Sequence, residues 1–103
     1  MENLNQTKWA EGLKSSENAQ IIDVRSPDEY HEGYIEGAHL INIQDTSNFM
    51  EEIEKLPKDK AYYVYCRSGR RSEMACQIME KAGIDKAYNL EGGILDWEGE
   101  LKK

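Results

Sequence analysis

A parallel α/β sheet covered by helices on both faces is the architecture this sequence predicts, and three observations lead to it. Short β-prone runs alternate with helical segments along the whole chain, the pattern of strands joined by crossover helices. The 103 residues suit a single domain with one modest core, burying about two-thirds of the unfolded surface. A cysteine, Cys66, stands where a β-prone run passes into a Gly- and Arg-rich loop, and ligands of such sheets bind at the carboxyl ends of the strands.

The elements follow in order. A weak strand is expected near Glu2 to Asn5, then a helix from Gln6 or Thr7 through Lys14 with Trp9, Ala10 and Leu13 on one face. The run from Ala19 to Val24 reads as a strand. Ser26-Pro27-Asp28-Glu29 combines a serine N-cap, proline at the first helical position and glutamate at the third, so a short helix begins there and stops by Gly33. A strand is expected from Ala38 to Ile43. Ser47 can cap a helix in which Phe49, Met50, Ile53 and Leu56 recur at helical spacing, ended by Pro57. Ala61 to Tyr65 is a strand, and Arg70 to Ala82 a helix with Ala75, Ile78, Met79 and Ala82 inward and Gly83 as its stop. Lys86 to Leu90 completes the set.

Composition narrows the function. With 13 basic and 20 acidic residues the net charge is -7, which argues against broad contact with nucleic acid or anionic membrane. The first twenty residues hold no apolar run of signal-peptide length, and no stretch could span a bilayer; a cytoplasmic protein is expected. Cys66 and Cys76 form neither a disulfide framework nor a CxxC pair, and His31 and His39 add no ligand spacing, so neither a metal nor any other cofactor is expected.

The chemistry concentrates in Cys66-Arg67-Ser68-Gly69-Arg70-Arg71-Ser72. Unpaired amides at a helix N-terminus converge on negative charge and add the positive end of the helix dipole. A cysteine there ionises below the usual value of about 8.5, and the thiolate is the useful nucleophile. Gly69 lets the backbone curl so that the amides point inward. A buried packing cysteine in a Gly-rich turn is the duller reading, but three arginines crowded together repel one another unless an anion or carboxylates sit among them. Cys76, well inside the following helix, is read as a packing residue in preference to a resolving thiol. For Asp23, Arg25 and Glu29, a supporting role in which Arg25 and Glu29 form an ion pair pinning the short helix is preferred over placement of Asp23 at the site.

Three blocks follow one another along the chain: Asp23-Val24-Arg25 with Glu29-Tyr30 and Gly33-Tyr34-Ile35-Glu36-Gly37-Ala38, then the Cys66 loop, then Asn89-Leu90-Glu91-Gly92-Gly93-Ile94 with Trp97. Together they resemble the rhodanese family. The likeness runs from about Ile21 to Trp97 and departs at Tyr34 and Glu36, where the family usually has histidine and proline. It implies a single rhodanese-like domain spanning the chain, with a five-stranded parallel sheet and helices on both sides. It also implies a sulfurtransferase in which Cys66 is catalytic and carries sulfane sulfur as a persulfide.

In that reading Arg67, Ser68, Gly69, Arg70, Arg71 and Ser72 bind a small anionic donor such as thiosulfate, and cyanide, a thiol or a protein accepts the sulfur. Two alternatives remain beside it. A noncatalytic or sulfur-relay interaction module is disfavoured because the cysteine and its arginines are retained. A cysteine phosphatase or arsenate reductase needs arginine six positions after the cysteine, where this chain has Ser72.

Overall fold

The computed structural model describes residues Met1 to Lys103. Five strands, β1 (Glu2–Leu4), β2 (Ala19–Asp23), β3 (Ala38–Leu40), β4 (Ala61–Tyr65) and β5 (Lys86–Leu90), alternate with four helices, α1 (Gln6–Ser15), α2 (Pro27–Glu32), α3 (Thr46–Lys55) and α4 (Arg70–Lys81). The strands form one sheet in the order β1-β5-β4-β2-β3, and every pairing is parallel. The expected class is therefore the observed one. No helix is long and apolar enough to cross a membrane.

Alternation along β4 explains how one strand serves two cores. Tyr62, Val64 and Cys66 face a cluster that includes Phe49 and Ile53 of α3 and Ala75, Cys76 and Met79 of α4. Ala61, Tyr63 and Tyr65 face the other side, where Trp9 of α1 and Leu90 pack. Successive side chains point to opposite faces, so a central parallel strand must be apolar throughout, and all five β4 residues are buried. Trp9 is fully buried and meets Tyr63, Tyr65 and Trp97 edge-on at 5.8, 6.3 and 5.5 Å, the arrangement aromatic quadrupoles prefer.

Some element ends differ from expectation for local reasons. α1 begins at Gln6 as expected, with Asn5 as its N-cap, the Asn5 side chain accepting the Lys8 amide hydrogen at 2.9 Å. The helix expected to be capped by Ser47 begins two residues earlier, at Thr46 with Asp45 in the N-cap position, and has no side-chain cap. β3 ends at Leu40 instead of Ile43, although the Ile41 and Ile43 amides still donate to the Asp23 and Val24 carbonyls. A turn closed by the Asp45 amide on the Asn42 carbonyl, with the Gln44 amide on Asn42 Oδ1, diverts the chain there. The α2 capping box forms as expected: the Ser26 amide donates to Glu29 Oε1 at 3.1 Å and the Glu29 amide to Ser26 Oγ at 3.3 Å.

The strand order fixes where a site can form. The connection leaving β2 leads outward to β3 and the one leaving β4 leads the opposite way to β5, while β2 and β4 are neighbours. Their carboxyl ends therefore border a crevice, the topological switch point. Asp23 and Cys66 lie on its two sides. Replacing Trp9 by alanine should cost about 3–5 kcal/mol, measured by urea unfolding followed by circular dichroism, because three aromatic partners lose their shared neighbour.

Candidate active site at the carboxyl end of β4

Cys66 leaves β4 fully buried and its sulfur meets donors from the beginning of α4. The Gly69 amide donates to Sγ at 3.1 Å, the Ser72 amide at 3.4 Å and the Ser72 hydroxyl lies at 3.3 Å. Gly69, the residue before α4, has φ +102°, a left-handed conformation that glycine adopts without strain. Burial pushes the Cys66 thiol up, but the Ser72 hydroxyl and the Ser72, Gly69 and Ser68 amides outweigh it and hold the thiol below its usual value. Cys76 on α4 has no such donors, and burial pushes it up to about 12. The two sulfurs belong to one core cluster, yet only one of them lies at a ring of amides.

The loop is braced from outside by the turn after β5. Ile94 donates to the Cys66 carbonyl at 3.0 Å and Leu95 to the Arg67 carbonyl at 3.1 Å. A Cβ on Gly93, which has φ +60°, would lie 2.3 Å from the Arg67 carbonyl oxygen and 2.7 Å from that of Cys66. Gly93 thus permits backbone to touch backbone, whereas a Cβ on its neighbour Gly92 would meet the Asp96 side chain. Asn89, which opens the third family-like block but has no expected role at the site, donates from Nδ2 to the Gly69 carbonyl at 3.1 Å and fixes the loop from β5. Its signal in sequence is membership of that block, which says nothing of its contacts.

The expected Arg25–Glu29 ion pair does not form. Arg25 instead turns back onto Asp23, with Nη2 donating to Oδ2 at 2.7 Å and Nε to Oδ1 at 3.0 Å, and Nη2 also donates to the Gly33 carbonyl. Tyr65 donates to Asp23 Oδ2 at 2.7 Å and accepts the Ile35 amide hydrogen at 3.1 Å. The physical reason is placement. Asp23 is buried with Arg25 two residues on, so the carboxylate takes the nearest cation that also leaves no buried donor unpaired. Burial lowers and the Asp23 hydrogen bonds raise the Arg25 pKa, the second effect winning.

Glu29 is thereby free to reach α4. Its two oxygens accept from Arg71 Nη1 and Nη2 at 2.7 and 2.8 Å, a two-pronged pair. This is the carboxylate that a cluster of arginines requires, and it occupies the Arg71 guanidinium. Arg67 and Arg70 remain exposed. Beside Arg67 opens a cavity of about 530 Å³, lined also by Arg25, Glu29, Glu32, Leu95 and Leu101. Its outer edge is the C-terminal segment: Tyr34 and Lys102 exchange backbone hydrogen bonds at 2.9 and 2.8 Å, and the Tyr34 ring stacks on Tyr30 at 4.3 Å. Glu36 lies 4.0 Å from Lys102. No group of three or more His, Cys, Asp or Glu side chains is arranged to hold a metal ion.

The Glu29–Arg71 pair makes stability depend on acid. Hydrogen bonding from Arg71 lowers Glu29 from 4.5 to about 2. A carboxylate depressed on folding contributes stability that is complete above its unfolded pKa and lost as pH falls through the folded one. Unfolding free energies of the wild type and Glu29→Gln should therefore differ most above pH about 4.5 and converge toward pH about 2. With a quarter of each side chain exposed, solvent screening should keep the plateau difference to about 1–2 kcal/mol, measured by urea titration at each pH.

Comparison with known proteins agrees with this geometry. A description of the rhodanese-like domain matches residues 6–100. The Bacillus subtilis protein YtwF is 41% identical over 92 residues, covering 89% of this chain and 85% of that protein. A sulfurtransferase of Allochromatium vinosum is 36% identical over 90 residues, 82% of this chain and 77% of its own. The crystal structure of a rhodanese-like domain protein from Staphylococcus aureus superposes with a TM-score of 0.83 at 32% identity, covering 99% of this chain and 97% of that one. By matched length, sequence identity and fold, the chain belongs to the rhodanese-like sulfurtransferase family.

Proposed function

We propose that this protein moves sulfane sulfur through a persulfide on Cys66, taking it from a small anionic donor of the thiosulfate type. The observation that supports the reading most is the set of three donors, two amides and a hydroxyl, within 3.4 Å of one sulfur. Such a set stabilises an anionic sulfur without supplying an acid. In the first step the Cys66 thiolate attacks the outer sulfur of thiosulfate; the new S–S bond forms as the old one breaks, and sulfite leaves with the bonding pair. The persulfide retains one negative charge at the loop. In the second step an acceptor, a thiolate or cyanide, attacks the outer sulfur and the Cys66 thiolate is the leaving group. Neither step needs a proton donor, which suits a loop whose side chains are arginine and serine.

Arg67 and Arg70 then have the part of attracting the donor, while Arg71, engaged by Glu29, keeps the loop in place. Nucleic acid and membrane are not expected partners of an acidic body with net charge -7. A thiol-bearing small molecule or protein is the acceptor class.

Intact mass after thiosulfate treatment tests the reading: the wild type should gain the mass of one sulfur atom, which cyanide then removes. Cys66→Ser should gain none and Cys76→Ser should behave as the wild type. Sulfur uptake by Cys66→Ser would overturn the assignment. Arg67→Ala and Arg70→Ala should each raise KM for thiosulfate by about threefold to tenfold with kcat little changed, and added salt should do likewise to the wild type. Steady-state kinetics with an uncharged sulfur donor, which should be nearly insensitive to these substitutions, separates attraction from packing.

A further inference from the structure

Ser72 has one hydroxyl hydrogen and two acceptors in reach. Its Oγ lies 2.5 Å from Asn89 Oδ1 and 3.3 Å from Cys66 Sγ. Groups further out decide which acceptor receives the hydrogen. The Glu73 carboxylate accepts only, so Asn3, 3.0 Å away, must turn Nδ2 toward it. Asn3 Oδ1 then faces Asn89, its partner in the β1–β5 register, and takes a hydrogen from Asn89 Nδ2 at 2.9 Å. The same Nδ2 donates to the Gly69 carbonyl, a second group that can only accept. Asn89 Oδ1 is left facing Ser72. The hydroxyl must donate to it and turn a lone pair toward the sulfur.

We propose that Asn89 is a positioning residue that withholds the Ser72 hydroxyl hydrogen from Cys66, so that the sulfur gains this donor only when it carries negative charge. With Cys66 as the neutral thiol, S–H can donate to the Ser72 lone pair. On ionisation the thiol hydrogen passes to solvent and the hydroxyl turns about its Cβ–Oγ bond to donate to the thiolate, leaving Asn89 Oδ1. No covalent bond of Ser72 breaks. The consequence is a sulfur held by two amides in both protonation states and by the hydroxyl only as the thiolate. Because the hydroxyl must give up Asn89 to reach the thiolate, it stabilises the anion less than an unengaged hydroxyl would, and intrinsic nucleophilicity, which falls with thiol pKa, falls less.

The other ionisable groups around the sulfur do not enter this chain. Arg71 and Cys76 approach from α4, and Arg71 is paired with Glu29. Tyr65 precedes the sulfur on β4 and binds Asp23 of β2, which also holds Arg25. None of them exchanges a hydrogen bond with Ser72 or Asn89, whose partners are Cys66, Asn3 and Gly69.

The inference rests on Cys66 being the reacting thiol of the proposed function, but its test uses no sulfur donor. The rate of Cys66 alkylation by iodoacetamide is followed against pH, the modified residue being located by peptide mass. Wild type, Asn89→Leu, Asn89→Ala, Ser72→Ala and the Asn89→Leu/Ser72→Ala double variant are compared, with circular dichroism establishing which are folded. In Asn89→Leu the sulfur is the one acceptor left for Ser72, so the midpoint should fall by about half to one pH unit. In Ser72→Ala it should rise, and the double variant should match Ser72→Ala because Asn89 acts through the hydroxyl.

Asn89→Ala carries the same comparison if leucine is not accommodated. A midpoint unchanged or raised in a folded Asn89 variant, a fall that persists without Ser72, or failure of both Asn89 variants to fold would each overturn the proposal. If the midpoints move as stated while thiosulfate adds no sulfur to the wild type, the sulfur-transfer reading fails and the role of Asn89 stands; sulfur uptake with unmoved midpoints gives the reverse.

Discussion

The Cys66 and Arg67 carbonyls take amide hydrogens from Ile94 and Leu95 across the gap between the ends of β4 and β5, and the Cys66 loop has its shape because of that contact. A loop that points its amides inward at a sulfur must point carbonyls outward, and buried carbonyls need donors. The turn after β5 supplies them. It can come close enough only where no Cβ intervenes, which is why Gly93 sits against the two carbonyls and Gly69 against Gly92 and Leu90. The sulfur's environment is thus a property of two distant segments, residues 66–72 and 89–95, brought together by the pairing of β4 with β5.

Electrostatics is arranged in two layers around that contact. The inner layer is buried: Asp23, Arg25 and Tyr65 satisfy one another and the Gly33 and Ile35 backbone, tying the end of β2 to the end of β4. The outer layer is partly exposed, with Glu29 on α2 holding Arg71 on α4. One carboxylate in each layer takes one arginine, so the exposed positive charge of the site falls to Arg67 and Arg70. A locally positive mouth on an acidic body follows from which arginines are paired, rather than from how many there are.

Much of this was legible in the sequence. The parallel class followed from alternation of strand and helix, the short helix from the Ser26–Glu29 capping box, and the loop of inward-pointing amides from a cysteine between a strand and Gly69. The start of α3 was less legible, since Ser47, the residue with a capping side chain, lies inside a helix that begins at Thr46 with no side-chain cap. The pairing of charges was not legible at all. Arg25 and Glu29 are four residues apart and suggest a helical pair, but Arg25 precedes the helix and its geometry belongs to the strand end, where Asp23 is nearer. The role of Asn89 escaped for a related reason: its partners Asn3, Gly69 and Ser72 come from two other parts of the chain, and its place at the head of the Leu90-Glu91-Gly92-Gly93 turn does not reveal that it joins them.

The lengths of the outermost strands bear on how this protein meets other proteins. β1 and β3 border the sheet and each spans three residues, and the turn from Asn42 to Asp45 soon takes the chain away from β2. So short a run of free amides and carbonyls offers a poor template for an added strand. Association by extending the sheet, the route by which many domains capture peptides or join into fibres, has little to grip on either flank. Under the proposed function, a protein that exchanges sulfur with this one is therefore directed to the carboxyl rim, where the cavity beside Arg67 lies, and not to the flanks of the sheet.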